Sequence, residues 1–183
     1  MVHVNDGGKR EYLKGAMWNP PERSVQAEIA KSTKKAPNCI WDEKEFPGAT
    51  GGTHKLYSEK NSEGRVIREL WDYYADDFID EVETYEYDKA GNVTKYTLDR
   101  NADGMPDKVA THEYDKAGNK TKSTYDDNAD GKPEEVVNWE YDEAGRLTKC
   151  TIDDNADGKP DIVTTRKYNE AGEITNEHSE HYE

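Results

Sequence analysis

Three short segments carry most of the chain's chemistry: DRNADGMPD (Asp99–Asp107), DDNADGKPE (Asp126–Glu134) and DDNADGKPD (Asp153–Asp161), spaced 27 residues apart. Every odd position in them can offer an oxygen. Positions 1, 3 and 5 are Asp99, Asn101 and Asp103 in the first segment, Asp126, Asn128 and Asp130 in the second, and Asp153, Asn155 and Asp157 in the third. Position 7 (Met105, Lys132, Lys159) has only its backbone carbonyl to give, and position 9 is a carboxylate (Asp107, Glu134, Asp161). The glycine at position 6 permits a sharp reversal that a Cβ would obstruct. Such an alternation suits a hard cation that takes about six to eight oxygens. Calcium fits better than magnesium, which demands tight octahedral geometry and keeps its waters. Asp, Asn and Gly also make plain turns without a metal. Three copies with a donor at every ligand position favour the metal, and the expectation is three Ca²⁺ ions, one per loop.

The twelfth position separates these loops from an EF-hand, which needs a bidentate Glu there; this chain has Ala110, Val137 and Thr164, and strand-like flanks. The residue order resembles the calcium loops of FG-GAP repeats, as in integrin-type propellers, where D-x-N-x-D-G-x-x-D joins two strands. The resemblance covers the three nine-residue loops and does not extend to the blade around them. A closed propeller needs about four to eight blades of four strands. Two units of 27 residues would make one blade, so closure is out of reach.

A second motif alternates with the loops: YDKAGN at Tyr87–Asn92 and Tyr114–Asn119, YDEAGR at Tyr141–Arg146 and YNEAGE at Tyr168–Glu173. A tight turn ending in glycine between strand-like residues predicts a β-hairpin with that glycine in a left-handed conformation. This is similar to the YD motif of RHS/YD-repeat proteins, bacterial surface and toxin-shell proteins built from β-hairpins. Those repeats have no calcium loop at this place, so the encapsulating role of such shells does not carry over.

Each unit therefore reads as strand, calcium loop, strand, glycine turn. Val82, Val109, Val136 and Val163 form one repeat column, Tyr87, Tyr114, Tyr141 and Tyr168 a second, and Trp71, Leu98, Tyr125 and Ile152 a third. Strands favour such β-branched and aromatic columns. An older unit precedes them. Its loop, DYYADDFID (Asp72–Asp80), has Tyr74 in place of the ligand Asn and Asp77 in place of the glycine, so it is expected to hold no ion. The resulting expectation is an all-β fold: an antiparallel up-and-down meander of hairpin repeats, about ten strands ending near His181, in an open, twisted single-layer sheet spanning residues 53–183. Only 32% of the 183 residues are hydrophobic and 36% are charged, which is lean for a two-layer core. Disorder is the competing reading of such a composition. The strict period argues against it, because repeats bury surface between neighbours.

Residues 1–52 do not repeat and read as a small irregular or helical cap, or as an assembly segment. Asn19-Pro20-Pro21-Glu22 suggests a helix start, with a helix of about three turns through Val25, Ile29 and Ala30 to near Lys35. The opening Met1-Val2-His3-Val4 could pair with a sheet edge, in its own chain or another. Cys39 and Cys150 permit one disulfide, two free thiols or a bridge between chains, and lack C-x-x-C spacing.

A formal charge of −15 repels phosphate backbones and argues against nucleic acid. No long apolar run suggests membrane insertion, and no signal peptide begins the chain. The five histidines are scattered. His112 shares its repeat position with Tyr85, Trp139 and Arg166, which suits a surface column better than catalysis, and no catalytic grouping emerges from spacing. The sequence thus predicts a non-enzymatic, secreted or surface-exposed calcium-binding repeat protein with a structural, adhesive or assembly role. It could associate with itself through sheet edges or the N-terminal segment. The alternatives are a small carbohydrate- or protein-binding module using the aromatic column, and a toxin-associated or immunity protein.

Overall fold

Alternating β-branched and polar residues interrupted every few positions by Asp, Asn and Gly leave the chain little choice but short strands. A computed structural model describes residues 2–4, 10–12, 24–25, 28–29, 40–47 and 52–182. The strands are β1 (Val2–Val4), β2 (Arg10–Tyr12), β3 (Ile40–Pro47), β4 (Thr53–Lys60), β5 (Val66–Asp72), β6 (Glu81–Tyr87), β7 (Val93–Asp99), β8 (Lys108–Tyr114), β9 (Lys120–Asp126), β10 (Glu135–Tyr141), β11 (Leu147–Asp153), β12 (Ile162–Tyr168) and β13 (Ile174–His181). β3 to β13 form one sheet in strictly sequential order, an open antiparallel meander. The ten strands expected after residue 52 are β4 to β13. The sheet gains an eleventh from the N-terminal block, because β3 pairs with β4 from Ile40↔Lys60 to Pro47↔Thr53.

The chain divides into two compact units, Met1–Thr84 with Leu98–Met105, and Tyr85–Thr97 with Pro106–Glu183. In the first unit Val25, Tyr57, Leu70 and Ile79 form a buried apolar cluster, with Ile29, Trp41, Val82 and Ala102 packed against it. Val25, Glu28 and Ile29 are helical, and the Glu28 N–H donates to the Ser24 carbonyl at 3.1 Å. The expected start of that helix at Asn19–Glu22, its continuation through Ala30 and its end near Lys35 lie outside the described residues, as does Cys39. The opening segment pairs differently from the expectation of a sheet edge: β1 pairs with β2, from Val2↔Tyr12 to Val4↔Arg10.

In the second unit Ala110 and Val137 are the buried hydrophobic residues among those described. Most other strand residues are half-buried, so stability comes mainly from neighbouring strands and their cross-strand pairs. One such pair is Thr111 with Thr124, whose hydroxyls lie 2.6 Å apart. Glycine turns close these hairpins with the left-handed geometry expected. Gly118 has φ +89°, its N–H donates to the Asp115 carbonyl at 3.1 Å, and the register slips by one residue beside Tyr114. A tight turn followed by a left-handed glycine and a bulge is a favoured hairpin closure.

Candidate metal centre

Strands of seven residues bring the ends of β9 and β10, and of β11 and β12, to the same side of the second unit, where the nine-residue loops connect them. Inside each loop the first Asp acts as the hub. Asp126 Oδ1 accepts from the Asp130 N–H at 3.1 Å and Oδ2 from the Gly131 N–H at 2.8 Å. Asn128 Oδ1 also accepts from the Asp130 N–H, at 2.9 Å, and Asp130 Oδ1 accepts from the Lys132 N–H at 2.8 Å. The third loop repeats every bond: Asp153 with Asp157 and Gly158 at 3.1 and 2.9 Å, Asn155 with Asp157 at 2.9 Å, and Asp157 with Lys159 at 2.8 Å. In the first loop Asp99, Asn101 and Asp103 take the N–H groups of Asp103, Gly104 and Met105 in the same pattern.

The backbone N–H groups therefore turn the acidic side chains inward. The oxygens of Asp126, Asp130 and Glu134 lie within 4.8 Å of one another, the one such acidic group among the described residues. Glu134 is one methylene longer than Asp107 and Asp161. It reaches across its loop, where Oε2 accepts from the Asp127 N–H at 2.7 Å and Oε1 from Asn128 Nδ2 at 2.6 Å. Asp161 takes the equivalent Asp154 N–H at 2.8 Å. A carboxylate offers about four lone-pair sites. One N–H per oxygen thus leaves capacity for a cation, and the donor set of carboxylates, one amide oxygen and a carbonyl suits calcium. Among the loop carboxyls Asp154 is raised above the ordinary range, because it shares a hydrogen bond with Asp161 in an acidic setting. Tyr182 lies beside the third loop, its N–H donating to the Asp161 carbonyl at 2.8 Å, and lines a pocket there with Asn155, Asp157 and Pro160.

One feature of the loops was not expected from sequence. The fourth residue is an alanine in the left-handed region in every copy: Ala75, Ala102, Ala129 and Ala156 have φ of 51°, 51°, 54° and 53°. The signal was present as an invariant small residue between two ligands, but alanine does not announce a positive φ as glycine does.

The degenerate loop keeps the scaffold and the carboxylates of Asp72, Asp76 and Asp80, but Tyr74 stands where the third-position amide is in the other loops. Asp72, fully buried, accepts from the N–H groups of Tyr74, Asp76 and Asp77 at 3.3, 3.1 and 3.0 Å. Burial pushes its carboxyl above the usual range, against those hydrogen bonds. Asp77 occupies the glycine position at φ 66°. At positions 7 and 8, where the calcium-type loops have Met-Pro or Lys-Pro, stand Phe78 and Ile79. Ser24 forms an antiparallel bridge with Phe78, the Val25 N–H donates to the Asp77 carbonyl at 3.2 Å, and Ile79 is buried with Val25.

The fold and its loops define a β-hairpin repeat protein. Neither a family model nor a curated protein matches the chain. Among solved structures it is similar to a Photorhabdus luminescens Tc holotoxin pore, with a TM-score of 0.56 and 15% identity over 70% of this chain. The match covers 5% of that chain's length, and at this identity it is a likeness of fold. No helix among the described residues is long and apolar enough to cross a membrane.

Proposed function

We propose that the chain is a calcium-binding, secreted or surface-exposed repeat protein in which three ions stiffen the ends of successive hairpins. It then serves as a structural, adhesive or assembly element. The observation that carries this reading is the convergence of Asp126, Asp130 and Glu134 in a loop whose inward hydrogen bonds recur in its neighbours. Asp99, Asn101, Asp103 and Asp107, with their counterparts in the other two loops, are the side-chain ligands. Met105, Lys132 and Lys159 contribute carbonyls. Without the ion the carboxylates of each loop face one another, and like charges repel. The test is limited proteolysis with calcium and with EGTA: cutting within the three loops should accelerate in EGTA, and equal resistance in both would contradict the reading.

The role is read as non-catalytic. Among the described residues the closest approach to a nucleophile pair is His112 Nδ1 with Ser123 Oγ, 2.7 Å apart. Ser123 has no exposed surface, and burial holds His112 below its usual range, so the pair suits a cross-strand clasp better than chemistry. A second reading, a toxin-associated protein, rests on the likeness of fold to the Tc holotoxin pore. Association through sheet edges is tested by light scattering at several concentrations with and without EGTA. Calcium-dependent growth in mass supports assembly, and a constant monomer favours a binding module.

A further inference from the structure

The N-terminal segment around Val25 sits on a loop of the calcium-type scaffold that lacks the full ligand set. Four changes convert that loop: Tyr74 for Asn, Asp77 for Gly, and Phe78-Ile79 for the Lys-Pro or Met-Pro pair. The first two remove a donor and the free reversal. The last two supply the seat. Proline at position 8 has no N–H and a small ring, whereas Ile79 is 3% exposed and joins Val25, Tyr57 and Leu70 in the apolar cluster. Position 7, whose carbonyl faces the ion in the other loops on the present reading, instead lies in a strand-like bridge, Phe78 with Ser24. Beside it the position-6 carbonyl, that of Asp77, takes the Val25 N–H at 3.2 Å, so this loop holds a piece of chain.

A second contact reaches the same cluster from the first calcium-type loop. Ala102 packs against it, together with Ile29, Trp41 and Val82. Ala102 lies between Asn101 and Asp103, the third and fifth ligand positions, and is held at φ 51°. Asp103 is itself tied to Asp99 and Asn101 through its own N–H. An ion in this loop fixes the residues on both sides of Ala102, and hence the place of its methyl group against the cluster that seats Val25. The loop and the segment then pack on one apolar cluster, and chains of packed side chains are how one site biases another.

We propose that calcium at the Asp99–Asp107 loop and docking of Ser24, Val25, Glu28 and Ile29 are thermodynamically coupled: the ion holds these residues down, and their docking tightens that one ion. This rests on the calcium reading above and adds to it a regulated element. Linkage requires the effect to be reciprocal. It also predicts asymmetry among the loops, because Asp99–Met105 belong to the same unit as the cluster, whereas every residue of the second and third loops belongs to the other.

The experiment is amide hydrogen exchange of Ser24, Val25, Glu28 and Ile29 in the full chain, with calcium alone as ligand, alongside calorimetry. Calcium should slow exchange of this segment about 5-fold or more in the wild type and in Asp130→Ala, which disables the second loop, but not in Asp103→Ala. Reciprocally, Val25→Ala should weaken one ion about 5-fold and leave two unchanged. Three ions bound by calorimetry with no change in exchange, or equal slowing in Asp103→Ala, would overturn the coupling while leaving the calcium reading intact. Absence of calcium binding to the wild type would overturn both.

Discussion

The hydroxyl of Tyr141 donates a 2.9 Å hydrogen bond to the backbone carbonyl of Lys120, the first residue of the preceding strand β9. The same bond recurs one repeat away on either side, from Tyr114 to Val93 at 2.9 Å and from Tyr168 to Leu147 at 2.8 Å. Each of these hairpins is closed at one end by a calcium-type loop. The tyrosine ties its open end, at the edge where the glycine turn leads to the next strand. A tyrosine column read from sequence as stacking thus turns out to be a column of clasps. Tyr141→Phe keeps the ring and removes the clasp, leaving a partly buried carbonyl without its partner. The expected loss is about 1 kcal/mol, read as a lower denaturant midpoint at unchanged m-value. An unchanged midpoint would show that the ring alone matters.

The glycine turns carry a charge-sensitive partner to that clasp. Asp115 Oδ1 accepts from the N–H groups of Ala117 and Asn119 at 2.8 and 2.9 Å, and Oδ2 from Asn119 Nδ2 at 2.9 Å. The side-chain bond from Asn119, then its backbone N–H, holds the Asp115 carboxyl below its usual range, and Asp88 with Asn92 behaves alike. In Asp142 the Arg146 N–H is the leading cause. Lowered folded-state values contribute stability that is fully present above the unfolded value of about 3.9 and is lost as pH falls through the folded values. Asp72, raised by burial, has the opposite sign: its contribution is present below the unfolded value and fades as pH rises through its folded one. With three turn carboxylates lowered against two raised, Asp72 and Asp154, thermal melts in EGTA should show the melting temperature falling from pH 5 downward, through and below about pH 4. A flat profile down to pH 3 would contradict the turn assignment.

The left-handed alanine makes the loop strained by design of its backbone. Ala129 has φ 54°. A left-handed non-glycine residue costs about 1–2 kcal/mol, partly offset against glycine by the greater freedom of an unfolded glycine. Ala129→Gly should therefore stabilise the calcium-free chain by about 0.5 kcal/mol, measured by denaturant unfolding in EGTA. Clear destabilisation would mean that the methyl group has a packing role in the second loop as well.

Arg68 is the polar link between β5 and the N-terminal block. Its guanidinium lies 5.4 Å over the Trp41 ring, with Nη1 3.4 Å from Glu28 and Nε 3.3 Å from Glu59. Glu59 is buried. Arg68→Ala removes the ion pair to that carboxylate, and breaking a buried pair costs about 3–5 kcal/mol, reduced here to about 2–3 because Arg68 keeps some solvent contact. Arg68→Ala/Glu59→Gln should recover much of the loss; a double variant no more stable than the single would assign the cost to Trp41 packing.

How much of this was legible follows from what each residue type signals. Glycine at a fixed offset from Tyr-Asp announces a left-handed hairpin turn, and the 27-residue period fixed strand length and order, so β4 to β13 emerge from sequence. β3 did not, because IWDEKEFP has no repeat partner and its pairing to β4 is set by tertiary context. The loop residues were named from their oxygens, but the inward hydrogen bonds from Gly131 and Lys132 and the backbone of Ala129 depend on conformation. The decay of the Asp72–Asp80 loop was read from Tyr74 and Asp77, and Phe78 and Ile79 carried no signal of their own. Only their contact with Ser24 and Val25 gives that change a purpose. Of the alternatives that sequence left open for the cysteines, a disulfide, two free thiols or a bridge between chains, the structure shows Cys150 as a free, half-buried thiol, raised by burial, while Cys39 lies outside the described residues.

The central claim is that the three loops bind calcium, and titration calorimetry of the full chain with calcium tests it most directly. The account predicts three ions per chain. Asp126→Ala should leave two, since it removes the hub that takes the Asp130 and Gly131 N–H groups and one of the three converging carboxylates. No heat of binding at millimolar calcium, or a stoichiometry that Asp126→Ala leaves unchanged, would contradict it.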